Sequence, residues 1–187
     1  MQKLLAGAVG GALAGAPMVV AMKALQQSAP SARRRALPPQ QITLALARRM
    51  GLARKLDTRG RYATTAAAHF GYGSAAGALY PYASRVLPGP TALKGALFGV
   101  GLWAGSYLGW LPATGVLRSA TREPVGRNAM MIGAHVVWGI ATAVTAERLI
   151  ARGRRRANGR GRRTGEESED EEREDAPVSK SRRGSAA

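Results

Sequence analysis

Four long runs without a charged residue alternate with stretches rich in arginine. They cover Leu4–Met22, Tyr62–Ser84, Gly95–Leu117 and Asn128–Ala146, and each is 19 to 23 residues long. An α-helix needs about 17–25 apolar residues to cross a hydrocarbon layer roughly 30 Å thick. Helices of a soluble bundle carry charged residues on their exposed side at 3.6-residue spacing, and these runs carry none. The pattern favours an all-α polytopic membrane protein, a bundle of four transmembrane helices, over a soluble all-α protein.

The first run also has features of a signal peptide. Lys3 precedes the apolar stretch, and Ala14-Gly15-Ala16 resembles a cleavage site. Pro17 follows that site directly, which is a poor context for cleavage, and the apolar residues continue to Met22. We therefore interpret this run as an uncleaved first span.

Glycines recur at four-residue spacing within these runs. This spacing stacks the glycines on one face of a helix, where a neighbouring backbone can approach closely. The predicted helix-packing glycines are Gly7, Gly11, Gly15, Gly73, Gly77, Gly95, Gly99, Gly101, Gly105 and Gly109.

The loop between the first two runs, residues 23–61, carries ten basic residues against one acid, Asp57. Residues 40–56 predict an amphipathic helix with an apolar stripe of Ile42, Leu46, Met50 and Ala53. This helix either lies on the membrane or caps the bundle as a solvated loop helix. On the membrane, the basic residues beside the stripe would contact anionic lipid headgroups: Arg48, Arg49, Arg54 and Lys55.

The C-terminal part, residues 152–187, differs from the helical domain 1–151. A basic block precedes an acidic block, and no apolar periodicity is present, so the composition predicts a disordered charged tail. The net charge of +17 alone would suggest nucleic acid as a partner. The sequence nevertheless argues against nucleic acid as a partner, because the basic segments lack interleaved aromatic residues and a known binding motif. Anionic lipid is the nearer polyanion.

The second and fourth runs resemble each other at a fixed offset of 66 residues. RYATTAAAHFGYGSAAG aligns with RNAMMIGAHVVWGIATA, with matches that include Arg61 with Arg127 and His69 with His135. The first and third runs show a fainter match, in which Lys3 aligns with Lys94. The simplest interpretation is two tandem helical hairpins, with the second and fourth spans parallel.

The matched pair His69 and His135 is the main candidate for chemistry. An ionisable residue inside a span is a functional hypothesis, because its charged form is costly in hydrocarbon. The two imidazoles could relay or sense protons, or they could donate hydrogen bonds that fix the bundle. The chain has no cysteine, no third histidine and no carboxylate in mid-span, so we predict no metal site and no cofactor.

Aromatic residues could line a pocket or mark the membrane interface. The candidates are Tyr72, Trp103, Tyr107, Trp110 and Trp138. At the run ends, we expect Tyr80 and Tyr82 to be interfacial and Glu147 to extend towards water. The sequence contains no P-loop, HExxH or GxSxG motif and no carboxylate pair, so we predict that the protein is not an enzyme.

The chain resembles the YagU-like family of small bacterial inner-membrane proteins. The matching features are Gly133-Ala-His135-Val-Val137-Trp138, Leu37-Pro38-Pro39 in a long first loop, and a histidine near the start of the second run. The resemblance covers about residues 1–152. It implies a multi-pass protein of the bacterial inner membrane without an assigned activity, and it brings no catalytic residues.

These observations predict a non-enzymatic membrane protein with a structural or regulatory role, for which a stress response is one candidate setting. The alternative is a small transporter or proton-responsive channel that uses His69 and His135. A homo-oligomer or another membrane protein could pack on the glycine faces. The positive-inside rule does not fix the orientation, because both sides carry similar numbers of basic residues in a four-span topology.

Overall fold

A computed structural model describes residues 2–28, 38–52 and 56–174, and this part of the chain is helical without strands. The elements are α1 (Gln2–Ser28), α2 (Pro38–Arg49), α3 (Thr58–Ala83), α4 (Thr91–Ala104), a π-helical segment (Gly105–Trp110), the short α5 (Leu111–Ala113), a 3₁₀ turn (Ala120–Arg122) and α6 (Val125–Glu174). The chain divides into two compact units, Met1–Ile150 and Ala151–Ala187.

The helices extend beyond most of the predicted runs. α1 begins at Gln2 and ends at Ser28 rather than at residues 4 and 22, because the polar residues at both ends are compatible with helix. α3 begins at Thr58 rather than at 62, since the Asp57 side chain caps it by accepting a hydrogen bond from the Gly60 amide (2.7 Å). α4 begins at Thr91, directly after Pro90.

The third run is interrupted near its end. The π-helical turn Gly105–Trp110 contains Gly109 at φ −102° and ψ −106°, outside the helical region. Pro112 explains the wider turn, because a proline ring clashes with the carbonyl four residues earlier and provides no amide donor. The run then ends at Ala113 rather than at 117. Gly115, at φ 66°, follows, and the Val116 amide donates to the Leu111 carbonyl in a Schellman closure.

α2 is shorter than the predicted helix 40–56. It ends at Arg49 because Gly51 adopts φ 70°, and the Leu52 amide donates back to the Ala47 carbonyl (2.8 Å). The buried positions are Thr43 and Ala47, whereas Met50 of the predicted stripe is 70% exposed. Ala53, Arg54 and Lys55 lie outside the described residues.

α6 continues past the predicted end of the fourth run at 146, through to Glu174. The structure describes residues 152–174 as helix, where the composition predicts disorder. The sequence offers a reason, since arginine and glutamate are good helix formers and no proline lies between Pro124 and Pro177. Residues 175–187 of the predicted tail lie outside the described part.

α1 pairs with α3 and α4 pairs with α6, each in an antiparallel hairpin. A Cβ atom on Gly11 would lie 2.8 Å from the Gly77 Cα and still closer to the Gly73 carbonyl oxygen. In the second hairpin, a Cβ atom on Gly95 would lie 2.6 Å from the Gly139 oxygen and 2.8 Å from the Ala143 Cβ. Only glycine permits such close backbone contact.

These two sets of contacts are equivalent at the offset of 66 residues, because Gly73 matches Gly139 and position 77 matches 143. They also pair Gly11-Ala-Leu-Ala-Gly15 with Gly95-Ala-Leu-Phe-Gly99, an offset of 84. The faint alignment of Lys3 with Lys94 is therefore not the one that the packing follows. The second helices of the two hairpins, α3 and α6, run parallel, since Tyr80 and Glu147 meet at one end and Gly73 lies near Trp138 in the middle.

Candidate functional site

The two histidines line one cavity of about 170 Å³ inside the unit Met1–Ile150. The walls come from α1, α2, α3, α4, the π-helical segment, α5 and α6. The residues that line it are Met18, Pro39, Ile42, Thr43, Leu46, Ala68, His69, Tyr72, Gly73, Leu102, Ser106, Tyr107, Trp110, Leu111, Met131, His135 and Trp138. The pairing that the sequence suggested therefore corresponds to a shared space.

The two imidazoles have different surroundings. His135 is buried, and its Nδ1 lies 2.7 Å from the Met131 carbonyl oxygen. Because a carbonyl only accepts, this nitrogen carries the proton, and Nε2 of the neutral ring is left as an acceptor. His69 is half-buried beside Gly15 of α1, and its Nε2 is buried without a hydrogen-bond partner among the described residues.

Aromatic rings from three elements surround these imidazoles. The Tyr107 ring meets His135 edge-on at 5.9 Å between centroids, and Tyr72 and Trp110 lie 6.3 Å apart. Trp138 is 2% exposed and stacks on Phe98. Of the predicted aromatic candidates, only Trp103 is not among the residues that line the cavity; it stacks on Tyr107 instead.

Two polar contacts tie the hairpins together across this region. The Tyr72 hydroxyl on α3 is 2.9 Å from the Ser106 Oγ of the π-helical segment. The Trp138 Nε1 on α6 donates to the Gly11 carbonyl on α1 (3.0 Å). Tyr72 and Trp138 occupy matched positions, and each reaches into the other hairpin: Trp138 contacts α1, and Tyr72 contacts the π-helical segment that follows α4.

α2 covers one side of the cavity. Ile42 and Leu46 line the cavity, while Arg48 and Arg49 on the same helix are exposed. Arg127 at the start of α6 is 8% exposed and contacts Gln41 of α2 (3.4 Å) and Glu123 (3.5 Å). Of the two interpretations of this segment, the contacts favour a helix that caps the bundle.

The predicted packing glycines fall into two groups. Close backbone contacts occur at Gly7, Gly11, Gly73, Gly77, Gly95 and Gly99, and Gly15 lies against the Phe70 ring. Gly101, Gly105 and Gly109 have no such contact within the described part of the chain, because a Cβ atom there would meet nothing within 4 Å, and their packing role stays a prediction. Gly101 follows Gly99 by two residues, which places it about 200° around the helix. The series that starts at Gly101 therefore lies on the face opposite to Gly95 and Gly99.

Several contact residues were missed. Ser106 and Thr142 are buried polar residues inside uncharged runs, and that rarity is a signal in the sequence. Gly10 and Gly139 pack against neighbouring helices without belonging to a predicted four-residue series. At the other end of the bundle, Glu147 accepts hydrogen bonds from Tyr80 and Thr91, so neither Tyr80, at 1% exposure, nor Glu147 points to an interface as expected.

Two helices are long and apolar enough to cross a membrane, one over Gln2–Gln27 and one over Val125–Asn158. Among the described residues, α3 and α4 do not combine the length and the mean hydropathy that a membrane-spanning helix needs. The structure therefore supports two candidate spans, whereas the sequence predicts four.

Comparison with known proteins gives a family but no activity. No curated protein and no solved structure matches the chain. A family model does match, over residues 1–157, and it covers the helical bundle and the start of the charged part of α6. The chain belongs to this family, which is described as a family of unknown function, DUF6789.

Proposed function

We propose that this protein is a multi-pass protein of the bacterial inner membrane, with α1, α3, the α4–α5 segment and α6 as four spans. The observation that carries the proposal is the polarity of the surface. Exposed apolar side chains follow one face of α1, among them Leu5 (62% exposed), Leu13 (61%) and Val20 (67%). Core helices of soluble proteins expose polar faces to water, so this face suits lipid.

The interior of the same helices also contains polar side chains. Thr142 is fully buried, Ser106 is 3% exposed and His135 is 6% exposed. Polar side chains inside a membrane protein face the bundle rather than the lipid. The burial of these polar side chains in uncharged helices supports four spans, even though α3 and α4 are less apolar than α1 and α6.

The charged residues of the bundle lie towards its two ends. Lys3, Arg85 and Lys94 lie at or beside helix ends on one side, where Glu147 of α6 also lies, and Arg59, Arg61 and Arg127 lie at helix starts on the other side. The uncharged band between them matches a hydrocarbon layer with headgroups on both sides. Anionic lipid is the proposed partner of the exposed arginines on α2.

α1 belongs to the mature bundle in this proposal. It packs on α3 through glycines and accepts the hydrogen bond of Trp138 from α6. Cleavage of α1 as a signal peptide would remove both contacts. The resemblance to YagU-like proteins points to the same membrane and brings no catalytic residues, so we propose a non-enzymatic role, structural or regulatory.

A second candidate function rests on the two histidines in one cavity. A proton-responsive channel or transporter would need titratable groups within reach of a common space, and His69 and His135 line the same cavity. Replacement of both by glutamine tests this function by proton flux in proteoliposomes. No flux in the wild type, or equal flux in the double variant, would exclude it.

Insertion is tested by Leu13→Arg, with Leu25→Arg as the matched control. Arginine at the centre of a span costs about 2.5–3.5 kcal/mol in insertion, whereas Leu25 follows Lys23 at the helix end. We expect Leu13→Arg to reduce the carbonate-resistant membrane fraction strongly and Leu25→Arg to leave it unchanged. In a soluble bundle both positions are exposed, and both variants would behave as the wild type.

Reporters test the number of spans. One is inserted near Ser31 and another is fused after residue 187. Four spans require the two reporters on opposite sides of the membrane. Reporters on the same side would overturn the four-span proposal.

A further inference from the structure

The cavity beside His69 has the size of a single ring. Its volume is about 170 Å³, and an engineered apolar cavity of roughly 150 Å³ binds benzene or xenon. The walls are the aromatic and aliphatic side chains of Tyr72, Trp110, Trp138, Leu102 and Met131, among others.

The polar atoms around the cavity are mostly engaged with one another. Tyr72 is bonded to Ser106, Trp138 donates to Gly11, and the Nδ1 of His135 donates to Met131. The Nε2 of His69, which lies beside the Gly15 backbone, is buried without a hydrogen-bond partner among the described residues, and the Nε2 of His135 is the second ring acceptor of this wall. A buried polar atom of this kind is costly unless a ligand or a water molecule satisfies it.

The lining also selects against charge. The residues that line the cavity include no lysine, arginine, aspartate or glutamate, so an ionised ligand would find no counter-charge there. A quaternary ammonium group suits aromatic walls. The net charge of +17 and the exposed Arg48 and Arg49 on the covering helix disfavour a cation.

We propose that this cavity is a binding site for a small neutral ring compound that carries one hydroxyl group. The ring packs against Tyr72 and Trp138, and the hydroxyl hydrogen-bonds to the Nε2 of His69. This inference goes beyond the proposed membrane role and does not depend on it, because Tyr72, Trp138 and His69 line the same cavity within the unit Met1–Ile150.

The test is a binding measurement on the purified full-length protein in detergent. Phenol is the probe, benzene is the same ring without the hydroxyl, and benzoate and tetramethylammonium are the charged comparisons. Titration calorimetry should give saturable binding of phenol that is about two- to tenfold tighter than that of benzene, the contribution of one hydrogen bond. The charged probes should bind more weakly than phenol.

Three variants assign the site, and circular dichroism verifies that each is folded. Ala68→Phe fills the cavity and should weaken both rings at least about tenfold. Its control, Ala67→Phe, adds the same bulk at an exposed neighbour that does not line the cavity and should change nothing. His69→Leu should retain benzene binding and lose the preference for phenol.

Three results would overturn the proposal. Equal uptake of phenol by the Ala68→Phe and Ala67→Phe proteins would mean that the rings dissolve in the micelle rather than bind in the cavity. A retained preference for phenol in His69→Leu would remove the assigned hydrogen bond. Tighter binding of benzoate or tetramethylammonium than of phenol would exclude a neutral ligand.

Discussion

At the scale of single residues, the bundle depends on glycines that allow backbones to touch. Gly11 faces Gly73 and Gly77, and Gly95 faces Gly139 in the equivalent hairpin. Backbone atoms cannot move aside as a flexible side chain can, so an added methyl group must separate the helices. Glycine therefore stabilises the bundle at these positions, although its intrinsic helix propensity is low.

Gly11→Ala should destabilise the bundle by about 1–3 kcal/mol, because the new Cβ would overlap the α3 backbone. The measurement is thermal or denaturant unfolding in detergent. The control is Gly101→Ala, where the Cβ would meet nothing within 4 Å. That variant should be neutral or stabilising by up to about 1 kcal/mol through helix propensity. Equal effects of the two substitutions would contradict the packing described.

Trp138→Phe should destabilise the protein more than Trp103→Phe does. Both changes shrink an indole to a phenyl ring, but only the Nε1 of Trp138 has a partner, the Gly11 carbonyl, whereas the Nε1 of Trp103 is buried without one. The difference isolates the hydrogen bond and should be about 1–2 kcal/mol in the free energy of unfolding. A larger loss for Trp103→Phe would be inconsistent with this assignment.

The sequence predicts part of this residue-scale picture. Four-residue spacing identified the contact face of α1 and the glycines at 95 and 99. It could not decide between two glycine series on opposite faces of α4, because spacing does not reveal which face meets a neighbour. For His69 and His135, the offset of 66 suggested a pair, but the aromatic walls and the covering helix α2 depend on tertiary packing.

At the scale of elements, boundaries are set by local backbone chemistry. α2 ends where Gly51 takes a left-handed conformation, and the π-helical turn precedes Pro112. The spacing of apolar residues reveals neither the left-handed glycine nor the π-helical turn. The predicted helix 40–56 is therefore too long, and the prediction treats the third run as one uninterrupted span. α6 differs in the opposite sense, because a charged sequence without proline can continue a helix that begins in an apolar run.

Gly51→Ala should loosen the end of α2 by about 1 kcal/mol, since a Cβ atom is disfavoured at φ 70°. Amide hydrogen exchange over residues 38–49 should become about fivefold faster, while α3 stays unchanged. Gly126→Ala, at a helical position where a Cβ would meet nothing within 4 Å, serves as the control and should not alter exchange in α2. Unchanged protection in Gly51→Ala would show that the closure does not hold the helix end.

At the scale of the whole molecule, the chain combines a bundle whose middle is uncharged with a separate charged unit. The unit Met1–Ile150 contains both histidines, the cavity and the described polar contacts between hairpins. Eight of the eleven acids lie in the second unit, whereas the first unit holds 17 of the 28 basic residues and only three acids. We expect the two units to contribute differently to stability.

A chain that ends at Asn158 should keep the Tm of the bundle within roughly 2 °C of the full-length value, because the core contacts lie within the first unit. Differential scanning fluorimetry in one detergent measures this directly. A fall of more than about 5 °C would mean that the charged unit stabilises the bundle.

The exchange of aromatic side chains between the hairpins also bears on how the chain arose. Reciprocal contacts at matched positions are what two copies of one hairpin would make across a two-fold axis. After fusion of two such copies, the two matched positions could evolve separately. They now hold Tyr72, which contacts Ser106, and Trp138, which donates to the Gly11 carbonyl. Opening the chain between Val86 and Pro90 would recreate the ancestral assembly as two polypeptides. Co-purification of these halves after co-expression would reveal how much of that dimer survives in the modern gene product.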